Sequence, residues 1–166
     1  MQSLLLLRAL IDRLPARLTN LSADQVQRKP SSSAWSLKEE LGHLLDSAAN
    51  NHQRIVRAQL EDNPAMPEYD GDQWVALHRY QDRGWSSLIA IWADLNRQLL
   101  AAAEAVPDSA WSRTCTIADS APLTLKFVFD DYLDHMRQHL RHMGIETDDL
   151  VSASAVLIKR SAQSFG

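Results

Sequence analysis

The stretch that decides the fold is residues 123–144, which reads LTLKFVFDDYLDHMRQHLRHMG. Its apolar residues recur at steps of three and four, the spacing that places side chains on one face of an α-helix. Gly144 favours a helix stop, because glycine adopts the left-handed backbone conformation without strain. We therefore predict a helix from about Leu123 to Met143. Its apolar face consists of Leu125, Phe129, Tyr132, Met136, Leu140 and Met143.

Three more amphipathic segments are predicted on the same grounds. The first spans Ser3 to Leu18, and Pro15 inside it is expected to bend or shorten the helix. The second begins at the cap residue Ser36, which forms a capping box with Glu39, and continues to about residue 61. The third covers about residues 72–105, and the glycine within it can break it into two pieces.

Four long amphipathic segments without a convincing strand predict an all-α four-helix bundle with long connectors. A short fifth helix is expected at Val151–Ile158. The chain of 166 residues is long enough for one hydrophobic core, so we expect a single domain over residues 1–166. Its core covers about residues 3–144, and residues 145–166 form a C-terminal extension.

Composition and charge argue against several classes of function. The formal net charge is −4, so there is no basic excess to neutralise the phosphates of a nucleic acid. The apolar run Leu4–Leu7 is too short for a secretion signal, and no run approaches the length of a membrane span. The single cysteine, Cys115, is compatible with a reducing compartment. We expect a soluble cytoplasmic protein that acts on a small molecule rather than on nucleic acid or a membrane.

Three of the six histidines lie in the last predicted helix. His135 and His139 are four residues apart, so one metal ion can take a nitrogen from each. The pattern lacks the glutamate of His-Glu-x-x-His, which excludes the metalloprotease interpretation. Such a pair also occurs by chance on solvated helices, and a third histidine from elsewhere would be needed for a complete site. His142 follows on the same face, either as a further ligand or neighbour of the site or as a solvated residue.

A candidate third ligand is His43, in the step Gly42-His43-Leu44 that follows Trp35 and the cap Ser36. Together with the later opening Tyr132-Leu133-Asp134-His135 and a histidine four residues on, this pattern resembles the DinB-like superfamily. The resemblance implies an up-down-down-up bundle in which many members carry a divalent metal on three histidines.

By position, the ligands implied by the resemblance are His43, His135 and His139, and the ion is expected to be zinc or nickel. Periodicity allows another interpretation, because His43 shares the polar side of its helix with Glu40 and Ser47. It would then be a surface histidine. The two interpretations agree if the site lies at the rim of the bundle.

The resemblance further implies a metal-dependent enzyme, either a hydrolase or a thiol S-transferase related to maleylpyruvate isomerase. The ion would lower the pKa of a bound water or of a low-molecular-weight thiol. Asp46 or Asp131 could accept an N–H from a ligating imidazole, although both also fit as surface carboxylates. Arg54 or Arg137 could bind a carboxylate of the substrate or thiol.

A second hypothesis is a non-catalytic bundle, a stress-associated or interaction module with a structural or vestigial metal site. The resemblance also leads us to expect a homodimer.

Overall fold

Four long α-helices form the frame of the structure, a computed structural model that describes residues 2–149. They are α1 (Gln2–Thr19), α3 (Leu37–Leu60), α5 (Trp85–Glu104) and α6 (Leu125–His142). Two short helices, α2 (Ala23–Gln27) and α4 (Gly71–His78), lie in the connectors. Tight 3-10 turns follow at Tyr80–Asp82 and Asp108–Ser112. The predicted all-α four-helix bundle is confirmed, and the fifth helix predicted at Val151–Ile158 lies outside the described residues.

Helix α3 begins as its sequence predicts. The Ser36 hydroxyl accepts a hydrogen bond from the backbone N–H of Glu39 at 3.3 Å, and the Glu39 carboxylate accepts one from the N–H of Ser36 at 2.8 Å. Two backbone donors at the helix start are thereby satisfied. Lys29 also pairs with the Glu39 carboxylate at 2.7 Å. These contacts hold the first turn of α3, which lies directly before His43.

The helices differ from their predicted bounds in α1 and α6, and the third segment follows one of its two predicted forms. Helix α1 runs through Pro15 to Thr19, so the proline does not shorten it. The break that the sequence allowed at Gly84 is present, since the third segment is divided into α4 and α5 and α5 begins after Gly84. The last helix begins at Leu125 rather than Leu123, with the Thr124 side chain accepting a hydrogen bond at its N-terminus.

The helical bundle also carries a small sheet that the sequence did not indicate. Three short strands, β1 (Ala65–Met66), β2 (Thr114–Ile117) and β3 (Leu123–Thr124), form a sheet in the order β1-β2-β3. β1 pairs in parallel with β2, and β2 pairs antiparallel with β3. Strands of two to four residues are too short to show the two-residue periodicity by which a strand is recognised in a sequence.

The hydrophobic core lies between the four long helices. Its largest fully buried side chains include Trp92, Phe129 and Tyr132. Burial of such apolar surface stabilises the fold by about 25 cal/mol per Å². Helix α3 packs against both α5 and α6, so residues that are far apart in the sequence lie side by side. Among residues 2–149, no helix has both the length and the hydropathy needed to cross a membrane.

The turn after α4 closes tightly onto α3. The ring of Tyr80 lies directly over Gly42, where a Cβ atom would come within 2.1 Å of the ring carbons. Only a glycine allows this approach, since any side chain would displace the tyrosine. The same contact brings the connector that carries Tyr69 and Gly71 over the first turns of α3.

Candidate metal centre

Three imidazole rings converge between α3 and α6. The Nε2 atom of His43 lies 3.2 Å from Nε2 of His135, and Nε2 of His139 lies 3.1 Å from the same atom. His43 comes from α3, and the other two lie one helical turn apart on α6. The structure thus brings together three histidines that the sequence separates by up to 96 positions.

The spacing of the three nitrogens fits a metal ion. Zinc–nitrogen bonds are about 2.0–2.1 Å long, so two such ligands at roughly 95–110° around an ion lie about 3.0–3.4 Å apart. The two measured Nε2 separations fall in this range. Neutral imidazoles that point their lone pairs at one another repel unless a cation or proton lies between them.

Glu40 orients the ring of His139. The Glu40 carboxylate lies 2.6 Å from Nδ1 of His139, and both side chains are mostly buried. The Nδ1–H donates to the carboxylate, which leaves the Nε2 lone pair free to face the cluster. Sequence reasoning did not assign this role to Glu40. Its position three residues before His43, on the same polar face, was a usable signal.

Ser47 has the same relationship to His135. Its hydroxyl oxygen lies 3.4 Å from Nδ1 of His135 and accepts a second hydrogen bond from the Asn51 amide, also at 3.4 Å. The Asn51 amide in turn donates to the Ser47 carbonyl at 2.9 Å. The polar face of α3 therefore contacts the His135 ring at Nδ1, the nitrogen that points away from the cluster.

Burial and mutual repulsion keep the rings of His43 and His135 neutral. Burial, followed by the neighbouring charges of His139 and His135, lowers the pKa of His43 to about 3. Burial, followed by His139, lowers the pKa of His135 to about 4. Both rings are therefore in the unprotonated form at neutral pH, which is the form that binds a metal ion.

Aromatic residues and a glycine enclose His43. The ring centroids of Trp35 and Tyr69 lie 4.9 Å and 6.2 Å from that of His43. A Cβ atom at Gly71 would lie 2.9 Å from Cε1 of the same ring. His43 is only 7% exposed, and its Nδ1 atom is buried without a hydrogen-bond partner. The surface-histidine interpretation was wrong, because the connector covers the polar side of α3.

The two carboxylates predicted to support the ligands lie elsewhere. Asp46 is 3% exposed, accepts a hydrogen bond from the Tyr80 hydroxyl at 2.6 Å and contacts Nδ1 of His78 at 3.0 Å. Burial raises the pKa of Asp46. Asp131 is exposed in a surface groove that includes Lys126. Glu40 and Ser47 contact the ligand rings in their place.

The remaining predicted residues divide between the site and the surface. His142 is exposed, with its ring centroid 5.5 Å from that of His139. Arg137 is engaged by Asp134 and Asp148 at 3.5 Å and 3.4 Å, outside the cluster. Arg54 is half-buried on α3 and donates to the Asn51 side-chain oxygen at 3.3 Å. Of the two arginines, Arg54 is the one connected to the cluster, through Asn51 and Ser47.

Residues 6–143 match the sequence model of the DinB superfamily. The chain belongs to the DinB superfamily. This match covers α3, α5, α6, most of α1 and all three converging histidines.

Among its relatives is the Oceanobacillus iheyensis protein named "Putative metal-dependent hydrolase OB0782". It is 27% identical over 137 residues, which are 80% of this DinB-superfamily chain and 79% of the relative. A second is YfiT of Bacillus subtilis, which bears the same functional name and is 22% identical over 138 residues.

Two solved structures share the fold. YfiT of Bacillus subtilis, described as a probable metal-dependent hydrolase with an unusual four-helix bundle topology, aligns with a TM-score of 0.64 over 85% of this chain and 87% of its own. The mycothiol-dependent maleylpyruvate isomerase also aligns with a TM-score of 0.64, at 14% identity. That alignment covers 85% of this chain and 57% of the isomerase.

Proposed function

We propose that this DinB-superfamily chain is a metal-dependent enzyme in which His43, His135 and His139 bind one divalent ion, zinc or nickel. When bound, such an ion supplies Lewis acidity, which lowers the pKa of a water or of a low-molecular-weight thiol and yields a nucleophile at neutral pH. The reaction would be hydrolysis or thiol S-transfer on a small molecule.

One observation carries this proposal: three Nε2 atoms converge while the outer nitrogens of two rings are held in place. Glu40 accepts the N–H of His139, and Ser47 lies against Nδ1 of His135. Metal-ligating histidines usually have such a contact at the other ring nitrogen, because it selects the tautomer that turns Nε2 toward the ion. A chance meeting of histidines would not require such supporting contacts.

The number of ligands favours a reactive rather than a structural site. Within residues 2–149, His43, His135 and His139 form one candidate group of three, and Glu40, His139 and His142 form a second, more exposed group that shares His139. Structural zinc sites usually have four protein ligands, whereas catalytic sites have three and leave a position for water or substrate. The nearby carboxylate of Glu40 is already engaged by His139.

The names of the relatives agree with either nucleophile, water or a thiol. Two are named as metal-dependent hydrolases, and a structural neighbour is a mycothiol-dependent isomerase. The same three-histidine site would serve either nucleophile, since a thiol and a water would compete for the open position. Low-molecular-weight thiols are therefore candidate co-substrates.

Metal analysis of untagged protein tests the proposal. We expect about one divalent ion per chain, lost in His135→Ala and His139→Ala and retained in His52→Ala, a control histidine on α3. The metal-loaded protein is then screened for ester hydrolysis and for S-transfer with several cellular thiols. A folded wild-type protein that takes up no metal, or that keeps it in both variants, contradicts the proposal and favours the non-catalytic bundle.

Association into a homodimer stays a prediction. Sedimentation equilibrium of the metal-loaded protein measures it directly, and a monomer mass at micromolar concentration contradicts it.

A further inference from the structure

Arg54 differs from the other half-buried arginines of the described chain. Those others each form an ion pair with a carboxylate; they are Arg17, Arg57, Arg113 and Arg137. Arg54 has no ion pair within residues 2–149, and its hydrogen bond goes to the neutral side chain of Asn51. A guanidinium carries five N–H donors, so most of its capacity is available to a ligand.

A continuous polar path joins Arg54 to the candidate metal centre. It runs from Nδ1 of His135 to the Ser47 hydroxyl at 3.4 Å, and from there to the Asn51 amide at 3.4 Å. The Asn51 oxygen then accepts the bond from Arg54 at 3.3 Å. Together with the width of the amide group, these links place the guanidinium no more than about 12 Å from the ring. One small molecule can span that distance.

The side chain of Tyr69 connects this path to an open cavity. Tyr69 lines a cavity of about 410 Å³ together with Glu68 and Asp70. Its ring also borders His43, and its hydroxyl interacts with Ser47 and with the charge of Arg54. The same side chain thus lies beside the cavity, the ring cluster and the guanidinium.

The charges around Arg54 favour a carboxylate ligand. Burial lowers the pKa of Arg54 more than the neighbouring groups raise it. Those neighbours include Asp131 and Glu68, neither of which forms an ion pair with it. These carboxylates repel a phosphate dianion more strongly than a singly charged carboxylate, while the planar guanidinium matches a carboxylate with two parallel hydrogen bonds.

We infer that Arg54 binds the carboxylate of a small acidic substrate or thiol whose reacting atom lies at the cluster of His43, His135 and His139. This inference rests on the proposed function and adds a substrate class to it. Asn51 is a positioning residue, since it holds the guanidinium through its side-chain oxygen.

A pair of matched thiols tests the inference with the zinc-loaded protein. 6-Mercaptohexanoate and its neutral amide differ only in the carboxylate, and calorimetry measures the affinity of each. We expect wild type to bind the acid at least about tenfold more tightly, a preference that disappears in Arg54→Gln. Arg57→Gln, one turn further along α3 and paired with Glu61, should retain the preference. Equal affinities in wild type, or a preference that survives in Arg54→Gln, overturn the inference.

A metal-free experiment separates this inference from the proposed function. Hexanoate, hexanamide and inorganic phosphate are titrated into the metal-free protein, and the ¹⁵N resonance of the Arg54 side chain is followed by NMR. A shift with hexanoate alone supports the carboxylate site even if metal analysis contradicts the proposed centre. Stoichiometric zinc without discrimination between acid and amide overturns the inference and leaves the metal centre intact. A stronger response to phosphate overturns the carboxylate assignment.

The variants need a check of folding. Circular dichroism and thermal melting of Arg54→Gln should match wild type, because the lost hydrogen bond is a single contact to a neutral group. Arg54→Met, which keeps the aliphatic stem, provides a second variant should Arg54→Gln fail to fold. Loss of acid preference in a folded Arg54→Met supports the inference, and its retention overturns it.

Discussion

The carboxylate of Glu40 lies 2.6 Å from Nδ1 of His139, so a residue of α3 orients an imidazole of α6 across the bundle. The contact joins residues 99 positions apart and directs the other ring nitrogen toward His135, 3.1 Å away. It makes the packing of the two helices part of the candidate metal centre.

Glu40→Gln should weaken metal binding without unfolding the protein. The amide can no longer offer a charged acceptor to the N–H of His139, and the loss of such a supporting contact typically lowers metal affinity about 10–100-fold. Competition with a chromophoric zinc chelator measures the change. Glu61→Gln at the end of the same helix is the control and should leave the affinity unchanged. Equal affinities in the two variants would contradict a supporting role for Glu40.

Gly71→Ala should displace the ring of His43. The added Cβ would lie 2.9 Å from Cε1 and 3.1 Å from Nδ1 of His43, closer than ordinary packing allows. We expect a destabilisation of about 1–3 kcal/mol, as for other overpacked sites, together with weaker metal binding. Urea unfolding and zinc titration measure the two effects.

Gly84→Ala is the matched control for that substitution. A Cβ there meets nothing closer than 3.9 Å, so neither stability nor metal affinity should fall by a comparable amount. If Gly71→Ala and Gly84→Ala have the same stability and the same zinc affinity, the backbone at Gly71 does not hold the ring of His43 in place.

Removal of metal should lower the thermal stability of the wild type. A ligand present at 100 times its dissociation constant stabilises the native state by about 2.7 kcal/mol. We expect the melting temperature to fall after dialysis against EDTA and to recover when zinc or nickel is added. His135→Ala should melt at the same temperature with and without metal. If the melting temperature of the wild type changes with neither zinc nor nickel, the candidate metal centre does not bind these ions.

Glu39 makes part of the stability depend on pH. Burial raises the pKa of this carboxyl, but hydrogen bonds from Lys29 and from the backbone of Ser36 outweigh burial and hold the pKa below its usual value of 4.5. Because the folded-state pKa is the lower one, the contribution is fully present above pH 4.5 and is lost as the pH falls through the folded-state value.

Glu39→Gln isolates that contribution, since glutamine also serves at this position of a capping box. At pH 7 the variant should be less stable by about 0.5–1 kcal/mol, because the Lys29–Glu39 ion pair is partly exposed and solvent weakens it. The difference from wild type should shrink as the pH falls below 4.5, because the carboxylate then becomes protonated. Urea unfolding at several pH values measures it, and a difference that persists at low pH would assign the effect to packing rather than charge.

Local features of the structure could be predicted because short-range geometry produces them. The cap formed by Ser36 and Glu39 and the four-residue spacing of His135 and His139 depend only on the rise and turn of one helix. The strands could not be predicted, because they depend on pairing between distant residues such as Ala65 and Thr116, which are about fifty positions apart. Their local sequence carries too few residues to show a pattern.

The sequence by itself determined the four amphipathic helices, the histidine pair on α6 and the polar face of α3 that carries His43. It could not decide whether that face meets solvent or protein, because periodicity identifies a polar stripe but not what covers it. Only the tertiary structure decided this, by placing Trp35 and Gly71 over His43 and Glu40 against His139. The physical reason is that these contacts depend on how separate helices and connectors pack, which no single helix specifies.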